Sequence, residues 1–169
     1  MQERAENTKS FAIIMAIATF IVYFCCDAGK YSLHYGAPTY NTLMFSFMHA
    51  NIAHLLCNLW SFLAIVFYKK PSVFILISTF LATIILGLLP IMYDTGSPII
   101  GMSAWIYCVL GRYGITFNIK RDIRYNAIMF LTIAVGLLLP NISWMAHVTC
   151  YMAGMVIALF TEPINIKRK

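Results

Sequence analysis

The chain has 169 residues, of which 61% are hydrophobic and only 11% charged, against about 25% charge in a soluble globular domain. That balance excludes a soluble enzyme, a secreted scaffold and a disordered tail, because so much apolar surface has to be covered by something other than water. The net charge of +6 raises the question of an anionic partner, and the placement of the basic residues answers it.

The apolar residues fall into six runs of about 15 to 22 residues separated by short polar punctuation, which predicts an all-α polytopic membrane protein with six spans in one domain over residues 1–169. Span one covers about 11–26. It follows a short charged stretch but lacks a small-x-small cleavage pattern, so it reads as a retained span and not a removed signal. An outside loop follows, containing Gly36 and Pro38, with room for a short interfacial helix. Span two covers about 51–68, with an apolar lead-in from Leu43 to His49. Lys69, Lys70 and Pro71 form a tight turn, and Pro71 is suited to the start of span three, about 72–93.

Asp94 to Pro98 is a short outside loop. Span four, about 99–117, is brief for a hydrocarbon layer about 30 Å thick. Its amino end is therefore expected inside the protein, where its free amides need protein or cavity water. Span five covers about 125–139 and turns at Pro140 and Asn141; span six covers about 143–161, ahead of Pro163 and a basic tail.

With the amino terminus in the cytoplasm, eleven of the twelve basic residues lie on the inner side and Lys30 alone lies outside. This bias predicts a multi-pass cell-membrane protein with both termini cytoplasmic, and no nucleic-acid partner is needed to explain the charge. The five cysteines (Cys25, Cys26, Cys57, Cys108 and Cys150) include no CxxC pair and are odd in number. They read as small buried side chains and not as a disulfide framework or metal cluster.

Polar groups inside a membrane domain are site candidates by default, and here they concentrate in three segments. These are His49 to Asn58 with His54 between them, Gly101 to Tyr107 with Ser103 between them, and Ala146-His147 running to Gly154. In the six-span topology, spans two, four and six all enter from the outside, so His54, Ser103 and His147 reach a similar depth. Hydrolysis needs that set: a hydroxyl nucleophile, an imidazole to take its proton, and neutral donors for an oxyanion. Helical spacing puts Asn58 one turn beneath His54 and Tyr107 one turn beneath Ser103. Ala146, Cys150, Gly154 and Ala158 form a small-residue stripe on which another helix can pack closely.

On these motifs the chain resembles the rhomboid intramembrane serine proteases in their compact, six-span bacterial form: HxxxN on span two, GxS on span four, and AH followed by small residues on span six. The resemblance implies a serine and histidine dyad without a carboxylate, with Ser103 as nucleophile and His147 as general base and then acid. It implies an oxyanion hole of His54, Asn58 and the Ser103 backbone amide, with Gly101, Tyr107, His49 and Gly154 in support. It also implies a water-filled cavity open to the outside, membrane lipids as surroundings, transmembrane proteins as substrates admitted near spans two and five, and no cofactor or metal. Ala104, Thr149 and Cys150 stand where family members commonly carry glycine, and the latter two predict a wider gap between spans four and six. That departure motivates the alternative of a non-catalytic, rhomboid-like binder of transmembrane helices. A small transporter is a weaker third reading, since duplicated halves and paired broken helices are missing from the sequence.

Overall fold

The computed structural model describes residues 2–92, 98–136, 138 and 142–161. Among them the chain forms α1 (Gln2–Cys25), α2 (Ala28–Tyr31), α3 (Asn41–Met44), α4 (Ile52–Lys69), α5 (Val73–Leu86), α6 (Ser103–Gly111), α7 (Ile119–Gly136) and α8 (Trp144–Thr161), with a 3-10 turn at Pro90–Met92. The architecture is an all-α bundle. Among the described residues three helices are long and apolar enough to cross a membrane: α1 over Glu6–Cys25, α4 and α8. The 18 residues of α4 measure about 27 Å along the axis, close to the hydrocarbon thickness.

Local chemistry sets the helix ends. Asn51 caps α4 by accepting the His54 amide at 2.8 Å, and Lys70 closes it in the left-handed region at φ 50°. Ser72 caps α5, accepting the Ile75 amide at 3.3 Å. Pro71 thus lies one residue before the cap and not in the first turn expected for it. Helix α1 begins well before residue 11, α5 stops at Leu86 ahead of the 3-10 turn, and α7 begins at Ile119, before residue 125. The loop from Asp94, the Pro140–Asn141 turn, and Pro163 with the basic tail fall outside the described residues, apart from Pro98.

Helix α6 has only nine residues, and it is closely enclosed. Ala104, Trp105, Ile106, Cys108, Val109 and Gly111 are all buried, the pattern of a helix surrounded on every side. Trp105 anchors it. Its ring lies 4.7 Å from Phe62 and 4.8 Å from Phe80 between centroids, and its indole N–H donates to Thr79 Oγ1 at 3.1 Å and to the Leu76 carbonyl at 3.2 Å. One core cluster therefore joins α1, α4, α5 and α6 through residues such as Ala12, Phe62, Leu76 and Trp105. A second joins α6 and α8 to the loop between α1 and α4 through Leu33, Phe45, Ala104 and Cys150.

That loop packs closely. Leu33 and Ile99 exchange backbone hydrogen bonds of 2.9 and 2.7 Å in an antiparallel bridge, while the buried Asn41 amide donates to the carbonyls of Ser32 at 2.7 Å and Lys30 at 3.2 Å. The two single-turn helices α2 and α3 lie within it, where one short interfacial helix is expected. Large apolar side chains cover the outward faces: Trp60 is 78% exposed, Leu131 67% and Phe160 84%, as required where the neighbour is lipid. Cys25 and Cys57 are exposed and Cys26 is half-buried, so only Cys108 and Cys150 follow the expectation of buried cysteines.

Candidate active site

Ser103 is the first residue of α6. The chain reaches it through Gly101 at φ +113°, a conformation that side-chain-bearing residues rarely adopt. The site needs glycine there for a second reason: a Cβ on Gly101 would lie 2.8 Å from His54 Cε1 and Nε2 and 3.4 Å from Asn58 Nδ2. The Gly101 amide is held by the Phe45 carbonyl at 2.9 Å. Starting the helix at Ser103 leaves the amides of its first turn without intrahelical carbonyls, pointing toward the end where partial positive charge accumulates.

His147 lies in the first turn of α8. The α6–α8 seam brings it to the serine. A Cβ on Gly154 would collide with the Cys108 carbonyl and approach the Arg112 amide, and a Cβ on Gly111 would collide with the Tyr151 carbonyl, so the two backbones touch through reciprocal glycines. Ala146, Cys150, Gly154 and Ala158 are buried along this seam as the small-residue stripe predicts. His147 Nε2 and Ser103 Oγ stand 2.8 Å apart. With hydrogen on Nδ1, Nε2 accepts the hydroxyl proton, the arrangement a serine and histidine pair needs before attack. The gap expected from Thr149 and Cys150 does not open. Cys150 Sγ points to Met92 Sδ at 4.0 Å, and the closest approach falls one turn beyond it at Gly154.

The Tyr107 ring stacks on His147 with centroids 4.4 Å apart at 29°. On the opposite wall, α4 presents His54 and Asn58, whose side-chain amide donates to the His54 carbonyl at 3.1 Å. His49, from the segment before α4, lies edge-on to His54 at 5.0 Å. Its Nδ1–H donates to the Phe47 carbonyl at 3.2 Å and its Nε2 accepts the Met102 amide at 3.4 Å, pinning the segment that leads into Ser103. Burial, followed by the neighbouring His54 ring, outweighs the Phe47 bond and pushes His49 down to about 4, so the neutral ring that this bonding requires is the form present near neutral pH.

Ser103, His147, Tyr107, His54 and Asn58 all line one cavity of about 490 Å³, large enough for water and an extended peptide segment. Gly101 borders it through His54. His49 and Gly154 are not part of its lining. The sequence reading missed Gly111, the counterpart of Gly154, and the Phe45 carbonyl. The signal for Gly111 was present in a second small residue on span four; a backbone acceptor such as Phe45 leaves none.

Among the described residues no group of three or more histidine, cysteine or acidic side chains is placed to hold a metal ion. Comparison with protein families matches residues 36–163 to the Rhomboid domain, and no curated protein matches the chain. That match takes in the loop before α4, both walls of the cavity and the hydrogen-bonded serine and histidine. The chain therefore belongs to the rhomboid family, and its activity is that of an intramembrane serine protease.

Proposed function

We propose that Ser103 is the nucleophile and His147 the general base and acid, and that His54, Asn58 and the Ser103 backbone amide form the oxyanion hole. The 2.8 Å hydrogen bond between Ser103 Oγ and His147 Nε2 carries this reading. As Ser103 Oγ attacks the substrate carbonyl carbon, its proton passes to His147 Nε2 and the carbonyl π pair moves onto oxygen. Donors on α4 and at the start of α6 receive that oxyanion. Collapse breaks the C–N bond, and His147 returns its proton to the departing amine. Water then repeats the sequence on the acyl-enzyme: His147 takes its proton, the hydroxide adds, and Ser103 Oγ leaves reprotonated.

The neutrality of these groups suits their place. A resting charge in the hydrocarbon layer is costly, whereas a neutral imidazole, a hydroxyl and an amide carry none until the reaction begins. Tyr107 holds the His147 ring by stacking, while His49, Gly101 and Gly154 set the backbone that positions the pair. Substrates in this reading are transmembrane proteins whose helix unwinds locally, because an intact helix hides its carbonyls in its own hydrogen bonds. The six apolar runs support six spans, the charge distribution supports both termini cytoplasmic, and the likeness to the compact bacterial form supports a bacterial cell membrane. The non-catalytic alternative drew on a widened α6–α8 gap, and the reciprocal glycine contacts remove its motive.

The test is cleavage of a single-span substrate in proteoliposomes. Ser103→Ala and His147→Ala each abolish cleavage with the helical content retained. Unchanged turnover in either variant removes that residue from its role.

A further inference from the structure

Away from the dyad, the end of α4 meets the start of α7. Lys69 ends α4, about 22 Å along its axis from His54. Its Nζ lies 5.6 Å from the ring centroid of Tyr113 and 6.0 Å from that of Tyr125, so the cation of one helix stands over a ring of the other. The Tyr125 hydroxyl also feels the Arg121 guanidinium, one turn earlier on the same flank of α7. Lys120, Arg121 and Arg124 are all exposed. Asp122, the only acidic residue between Asp94 and Glu162, is turned from them. It lies on the side of α7 opposite Lys120 and Arg124, where its Oδ2 accepts the Thr116 amide at 2.9 Å and its Oδ1 the Thr116 hydroxyl at 2.5 Å.

The positive corner continues into bare aliphatic surface. Arg124, Ile128 and Leu131 follow one another along one outward face of α7 at spacings of four and three, with Ile128 52% and Leu131 67% exposed. Positive charge at this end of the bundle is served by a basic residue anywhere along it. What singles out this corner is the convergence of cations from two helices, the pair of arginines, whose planar fork suits phosphate oxygens, and the apolar face that starts where the charge stops. A free phosphate would use only the cations. An amphiphile with an anionic head joined to alkyl chains uses both.

We propose that the corner between α4 and α7 binds an anionic phospholipid, its phosphate held by Lys69, Arg121 and Arg124 and an acyl chain laid along Ile128 and Leu131. The site is separate from the dyad and its test reads binding, so it stands or falls apart from the protease chemistry.

The experiment titrates the full, detergent-purified chain with phosphatidylglycerol or with phosphatidylcholine of the same acyl chains, counts lipid adducts by native mass spectrometry, and records the melting temperature alongside. Phosphatidylglycerol should bind at least about tenfold more tightly and raise the melting temperature more. At about fivefold for each cation removed, Arg121→Gln combined with Arg124→Gln is expected to weaken it about 25-fold and Lys69→Gln about fivefold. A control that removes three charges elsewhere, Lys167→Gln, Arg168→Gln and Lys169→Gln together, should leave the affinity nearly unchanged. Equal binding of the two lipids overturns the proposal, and so does full phosphatidylglycerol affinity in the arginine variant. An equal loss per charge in the control overturns it too, since the attraction is then one of net charge. Paired chains in place of lipid adducts assign the corner to a second copy instead. Should the arginine variant melt early without lipid, Lys69→Gln and the comparison of the two lipids decide.

Discussion

Helix α6 meets α8 and α4 in opposite ways. Against α8 the contact is backbone to backbone, through Gly111 at Tyr151 and Gly154 at Cys108. Against α4 the deeper contact is a ring contact, Phe62 on Trp105, and above it the helices part around the cavity that holds His54 and Asn58. The close seam fixes the 2.8 Å separation of Ser103 and His147, and the open side leaves room for a peptide. A rigid wall for chemistry and a spaced wall for binding are thus built on the two faces of one nine-residue helix.

The seam is the side most sensitive to added volume. Gly154→Val places side-chain atoms where the α6 backbone runs, so α8 has to withdraw, and a displacement of about 1 Å at the dyad costs about 100-fold in rate. The expected result is loss of cleavage together with a lower melting temperature in detergent. On the open side, Asn58→Ala should lower kcat by about 100-fold or more if its amide receives the oxyanion. Ser103 labelling should slow as well, since the same donors face the oxygen of a phosphonyl adduct, while the melting temperature changes little. A matched fall in stability would instead make Asn58 a helix-to-helix tie.

Tyr107→Ala sharpens the account of the seam by removing the stacked ring while leaving both glycine contacts. Loss of one aromatic contact corresponds to about twofold to tenfold in activity, and Tyr107→Phe should keep most of it because the stacking needs no hydroxyl.

The smallest expected effect concerns His49 and pH. The unfolded chain takes up a proton on this ring near 6.5, whereas the folded one does so only near 4. Acidification through that window therefore favours the unfolded chain, and the contribution present above 6.5 is lost as the pH falls toward 4. Melting temperatures recorded from pH 7 to pH 4 should decline, and His49→Gln should flatten the decline.

The sequence disclosed which polar residues gather at the candidate site better than it disclosed the framing helices. Ser103, His147, His54 and Asn58 were legible because a membrane interior makes each polar side chain conspicuous, and helical spacing assigned their depth. The stripe through Gly154 was legible for the same reason of period. The effect of Thr149 and Cys150 was not, because local volume alone does not tell which turn of a seam carries the closest approach; Cys150 turns toward Met92 and Gly154 makes the contact. The start of α7 at Ile119 was equally hidden, since hydropathy marks where a helix meets lipid and says nothing of how far its charged first turns continue beyond it.

Activation of Ser103 by His147 underlies every step of the cleavage. The most direct measurement is mass-spectrometric mapping of a fluorophosphonate adduct on the folded, detergent-purified protein, with His147→Ala alongside. An adduct forms on Ser103 and is lost in His147→Ala. An unlabelled Ser103, under conditions where a soluble serine hydrolase in the same detergent is modified and a smaller sulfonyl fluoride also fails, would contradict it.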